Sequence, residues 1–114
     1  MTEIRFHPAA GDEVEEAYKF YGEHNPAAAA RFAAEVGRAL DVIREAPLQS
    51  PSGARNTRRF ILRGFPFTII YRVTQAAKAA VGPTRAASLR RSRTIVTIIA
   101  VAHHSRRPGY WFDR

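Results

Sequence analysis

Polar and apolar residues alternate through "EIRFH" (residues 3–7) and the alternation stops at Pro8, a pattern that predicts a short strand. The period then changes. In "AAGDEVEEAYKFYGEHNP" the apolar residues Val14, Ala17, Tyr18 and Tyr21 recur at i, i+3, i+4 and i+7, which predicts a helix with one apolar stripe. Asp12, Glu13, Glu15 and Glu16 are expected near its N-terminus, where the helix macrodipole favours acids. Asn25 followed by Pro26 reads as a cap and first residue of a second helix. Its apolar face is Ala29, Phe32, Ala33, Val36, Leu40 and Ile43, and it stops before Pro47. Two helices joined so tightly form an antiparallel hairpin.

"LQSPSGARN" is turn-forming at nearly every position and separates the helices from a region of strands. "TRRFILR" and "FPFTIIYRV", divided by a short Gly-Phe-Pro break, predict a β-hairpin, and "TIVTIIAVA" predicts the last strand. Residues 74–93, "TQAAKAAVGPTRAASLRRSR", form an unusually long insertion between those last two strands. A β-arm, a short helix and a mobile loop are all open for it. The expected fold is a single α+β domain over residues 1–114, with the N-terminal helical hairpin packed on one face of a small antiparallel β-sheet. The first strand is expected to pair within that sheet.

Composition narrows the chemistry. The chain has no cysteine, which excludes disulfides and thiol catalysis, and its four histidines are scattered, so neither a metal site nor a cofactor is expected. The opening "MTEIRFHPAAGDE" has no secretory pattern and no apolar run reaches membrane-spanning length, so a cytoplasmic protein without membrane contact is expected. The net charge of +8 is unevenly distributed. Through Pro47 there are nine acids and five bases; from Leu48 onward there are thirteen bases and the single acid Asp113. Halves of −4 and +12 point to an acidic or phosphate-rich partner for the second half.

The closing stretch "HHSRRPGYWFDR" concentrates the candidate chemistry. His103 and Tyr110 are candidate proton carriers, and Arg59, Arg106 and Arg107 are candidate phosphate ligands through bidentate contacts. The plainer roles are a histidine that hydrogen-bonds backbone to hold the tail, and a Tyr110–Trp111 clasp over the core. Arg106 and Arg107 beside "PGYW" form an arginine-plus-aromatic patch of the kind enriched at binding hot spots. Arg58 and Arg59 are adjacent on a strand and must face opposite ways. In the insertion, Lys78, Arg85, Arg90, Arg91 and Arg93 offer an electrostatic route to nucleic acid, with a solvated excursion as the alternative.

Three segments, "YKFYGEHNPAAAARF", "RRFILRGFPFTIIYRV" and "AVAHHSRRPGYW", together resemble the RelE/ParE superfamily of bacterial toxins, and its ParE-like branch in particular. The resemblance spans nearly the whole chain apart from the insertion after Val73. It implies a compact growth-arresting toxin encoded beside an antitoxin that neutralises it. ParE-like members poison DNA gyrase by binding; RelE-like members enter the ribosome and cleave mRNA. On the first reading Arg106, Arg107, Tyr110, Trp111 and Arg114 are the expected target contacts. On the second, His103, Arg106, Tyr110 and Arg59 are the expected catalytic set. The ribonuclease branch usually carries an arginine where this chain has Thr68, and a lysine-rich segment where this chain has only Lys19 and Lys78 in total. These departures favour gyrase over the ribosome. A third reading is a toxin fold retained as a non-toxic binding module.

Overall fold

The computed structural model describes residues 2–76 and 93–114. The chain runs β1 (Thr2–Phe6), α1 (Pro8–His24), α2 (Pro26–Glu45), β2 (Ser52–Gly53), a 3₁₀ turn (Ala54–Asn56), β3 (Thr57–Ile61), β4 (Phe67–Ala76) and β5 (Arg93–His103). The strands form one sheet in the order β1-β5-β4-β3-β2. Its pairings are antiparallel except β1 with β5, which is parallel. The antiparallel sheet expected from the sequence is observed, with a parallel pairing at this one edge. β1 leads directly into the helical hairpin, and a chain that crosses a layer before returning to the sheet can pair in parallel.

The helices start where local chemistry dictates. His7 caps α1 by accepting the Ala9 N–H on Nδ1 (3.1 Å), and Pro8 takes the first helical position, where no donor is needed. Asn25 does the same for α2, accepting the Ala27 N–H at 3.0 Å, with Pro26 following. Because α1 begins at Pro8, its acids lie beyond the first turn, too far in for the macrodipole role expected of them. One of them, Glu13, has a different function described below.

The main core lies between the helices and the sheet, where Phe32, Val36, Ala39 and Ile43 of α2 meet Phe67, Ile69, Tyr71, Val96 and Ile98. Two expected helix positions differ. Tyr18 is 49% exposed and Ala33 is exposed, while Ala10 and Ala39 are fully buried. The other expected positions of both stripes are buried or packed against the core. β4 and β5 extend into the segment 74–93, so three residues of the expected insertion at one end and Arg93 at the other belong to strands. Edge-to-edge pairing carries on past the apolar run: Thr74, Gln75 and Ala76 stand opposite Ile95, Thr94 and Arg93.

The sheet has a second, smaller core on its other face. Ile70, Ile99, Ala100 and Trp111 pack there with Tyr110 alongside. A register shift between β4 and β5, at Ile70/Tyr71, lets Ile98 and Val101 face the helices while Ile99 and Ala100 turn outward.

Candidate functional site

The tail after β5 folds back across the sheet. His104 N–H reaches the Pro66 carbonyl (2.8 Å) and Arg106 N–H the His103 carbonyl (3.0 Å), which turns the chain at the end of the strand. Gly109 then adopts φ +79°, a left-handed conformation in which a Cβ would stand 2.9 Å from the Phe112 ring. This turn drops Trp111 onto Ile70, Ile99 and Ala100 and leaves it only 8% exposed.

Glu13 ties the tail to α1. Its Oε1 accepts the Val101 N–H (2.9 Å) and an Arg114 guanidinium N–H (2.9 Å); its Oε2 accepts the Tyr110 hydroxyl (2.5 Å) and a second Arg114 N–H (3.2 Å). Arg114 also donates to the Ile99 carbonyl at 3.1 Å. Two β5 backbone groups without strand partners beyond the end of β1 are thus satisfied by side chains. In the sequence Glu13 stands out only as one of four acids near the start of α1. The signal that could have singled it out is position: it falls three residues after Ala10 and four before Ala17, on the buried stripe of α1.

The expected target contacts divide accordingly. Trp111 is buried, and Tyr110 and Arg114 are held by Glu13, whereas Arg106 and Arg107 are exposed. Arg106 stacks its guanidinium 4.0 Å from the centre of the Tyr110 ring. A cavity of about 440 Å³ opens between α1 and the tail, walled by Phe20, Tyr21, Phe67, His103, Arg106 and Tyr110.

The four residues of a nuclease set do not converge. His103, Arg106 and Tyr110 share that cavity, but Arg59 stands opposite Ile70 on the sheet face that carries Trp111. His103 lies on the helix side, edge-on to Phe67 at 5.0 Å, and its Nδ1 accepts the Ser105 N–H (3.0 Å) and sits 2.7 Å from the Ser105 hydroxyl. The Tyr110 phenol is pushed well above its ordinary value by burial and by the neighbouring Glu13 carboxylate, which keeps it protonated and engaged. Thr68, where an arginine marks the ribonuclease branch, is partnered instead by His104, with 3.0 Å between Thr68 Oγ1 and His104 Nε2. Of the expected nucleic-acid arginines, Arg93 is an exposed β5 residue, and Arg85, Arg90 and Arg91 lie outside the described residues. Among the described residues no cluster of three potential metal ligands occurs, and no helix is long and apolar enough to cross a membrane.

Two helices over a mostly antiparallel sheet, closed by an arginine- and aromatic-rich tail, define a small basic α+β protein. A solved chain from the chromosomal ParDE toxin–antitoxin system of P. aeruginosa has a similar fold, with a TM-score of 0.63 over 90% of this chain and 96% of that one at 15% identity. No curated protein matches the chain significantly in sequence. The family model for the ParE toxin of type II toxin–antitoxin systems matches residues 4–108, and the chain belongs to that family. Such systems pair a toxin with an antitoxin, so an antitoxin partner is implied.

Proposed function

We propose that this protein arrests growth by binding DNA gyrase, performs no chemistry of its own, and is neutralised by a cognate antitoxin. The observation that carries the reading is the division of labour in the tail. Tyr110, Trp111 and Arg114 are occupied in holding it, which leaves Arg106 and Arg107 as its exposed cations, and Arg59 lies across the sheet from His103. A rigid aromatic base presenting arginines is suited to recognition. Cleavage of RNA would need groups for the nucleophile, the phosphate and the leaving oxygen in one place.

For the antitoxin, the cleft between α1 and α2 supports docking of an amphipathic segment. It has a volume of about 530 Å³ and an apolar lining that includes Val14, Tyr18, Phe32 and Val36.

Inducible expression in a bacterial host without antitoxin tests the proposal, with growth, transcript integrity and DNA-damage induction followed in the same cultures. Arrest with DNA damage and intact transcripts is expected, and purified protein should inhibit gyrase supercoiling. Exchanging Arg106 and Arg107 together for alanine should weaken that inhibition at least about tenfold. Early translation loss with cut transcripts would overturn the reading in favour of a ribosome-dependent mRNA endonuclease. Normal growth with soluble, folded protein would leave a non-toxic binding module.

A further inference from the structure

The outer face of the sheet, away from the helices, carries a group of cations that lies outside the tail cavity. Strand alternation places Arg59 of β3 and Arg72 of β4 on this face, as diagonal neighbours across the β3–β4 pair, because Arg59 stands opposite Ile70. Arg72 donates from Nε (3.2 Å) and Nη2 (3.0 Å) to the Arg55 carbonyl. Arg55 in turn lays its guanidinium 4.8 Å from the centre of the Phe112 ring, which is 39% exposed.

Three features set this group apart from an ordinary solvated face. The turn that presents Arg55 is strained: Arg55 (φ 60°) and Asn56 (φ 56°) are consecutive non-glycine residues in the left-handed region, held by Arg72 and by the Thr57 hydroxyl on the Ala54 carbonyl. None of Arg55, Arg59 and Arg72 has a carboxylate partner among the described residues. Residues 77–92 contain no acid at all, so the insertion supplies no neutralising charge either. Like charges gathered on one sheet face oppose folding, and a strained turn adds to that cost.

We infer that this outer face, through Arg55, Arg59 and Arg72 beside Phe112, is a docking surface for the phosphodiester backbone of nucleic acid. The cations are arginines, which contact phosphate oxygens bidentately. An exposed ring already stacked on a guanidinium provides the aromatic platform that single-stranded nucleic acid uses. The surface is distinct from the tail cavity and does not depend on gyrase being the target.

The test uses the full chain and a short labelled DNA, single-stranded and duplex, with binding followed by fluorescence anisotropy over a range of salt. Arg55 and Arg59 are exposed, so the Arg55→Gln/Arg59→Gln pair should leave circular dichroism unchanged and thermal stability undiminished; Arg72 is kept because it anchors the turn. Each lost phosphate contact should reduce the slope of log affinity against log salt by about 0.9 on duplex and about 0.7 on single strand. A combined reduction of about 1.8 on duplex is therefore expected. Phe112→Ala should weaken the single strand more than the duplex if bases stack there; equal effects would restrict the surface to backbone contact and leave the arginine prediction standing. An unchanged slope in the Arg55→Gln/Arg59→Gln protein would overturn the proposal, as would loss of all binding only on exchange of Arg85, Arg90 and Arg91. Equal displacement of the DNA by polyglutamate at matched charge would also overturn it, in favour of an acidic protein partner.

Discussion

Tyr110, a candidate proton carrier in the sequence, makes two structural contacts in the fold. Its hydroxyl is committed to Glu13 at 2.5 Å while its ring supports Arg106 at 4.0 Å. Burial and the Glu13 carboxylate raise the phenol's pKa above the ordinary value near 10, so the folded state prefers the protonated form more strongly than the unfolded chain does. For a raised pKa the stabilisation is complete below the unfolded value and is lost as pH climbs through the folded one. The clasp should therefore weaken from about pH 10 upward. Tyr21, raised by burial, acts in the same direction, whereas the arginines stay charged there, and the chain has only two lysines to lose charge. Tyr110→Phe should cost about 1.5–2 kcal/mol at pH 8, the worth of a hydrogen bond to a charged group, and should flatten the alkaline decline. Urea midpoints at pH 8 and pH 11 check both statements. A decline as steep in the variant as in the parent would assign alkaline loss to other tyrosines.

Between elements, Glu35 does for α2 what Glu13 does for α1. Its carboxylate accepts Arg38 Nε (2.8 Å) and Nη2 (2.7 Å), and also the backbone N–H of Arg63 (2.6 Å) in the turn between β3 and β4. The Arg38 hydrogen bonds, supported by the Arg63 N–H, hold its pKa below the usual carboxylate range against the opposing effect of burial. A lowered pKa gives stabilisation that is present above the unfolded value and lost as pH falls through the folded one, so the α2–turn contact should fail on the acid side, below about pH 4.5. Glu35→Gln should cost about 1–2 kcal/mol at pH 7 and should accelerate exchange of the Arg63 amide. Unchanged exchange would mean that the turn is held by other contacts. The elements themselves were largely legible in the sequence, because capping by Asn25–Pro26 and the change from period 3.6 to period 2 are local signals. The parallel pairing of β1, the two-residue β2 and the roles of Glu13 and Glu35 were not, since each depends on a partner far along the chain.

At the scale of the whole molecule, charge and packing are both two-sided. The helical segment holds eight of the ten acids, the outer sheet face holds arginines, and a core lies on each side of the sheet. Family and fold class were readable from three sequence segments, yet the tail's division into a buried clasp and exposed arginines was not. An arginine or aromatic residue in a sequence does not say whether its partner is inside or outside the chain. Among the described residues the smaller core is covered by the tail, and Glu13 links that tail to α1 across 97 residues at Tyr110 and 101 residues at Arg114. Both charges are largely buried, with side chains 12% and 17% exposed. Removing the carboxylate leaves the Val101 N–H and the Tyr110 hydroxyl without their partner and Arg114 with the Ile99 carbonyl alone, at a cost of about 3 kcal/mol. That loss falls chiefly on the tail, because three of the four hydrogen bonds to Glu13 come from Tyr110 and Arg114 and only one from Val101 of β5. In the parent protein, Trp111 fluorescence and helical circular dichroism should therefore report one coincident urea transition. In Glu13→Ala the Trp111 signal, the only tryptophan signal in the chain, should move to lower urea while the helical transition stays near its original position. If both transitions moved together, the tail would be part of a single cooperative unit and the two cores would be energetically one.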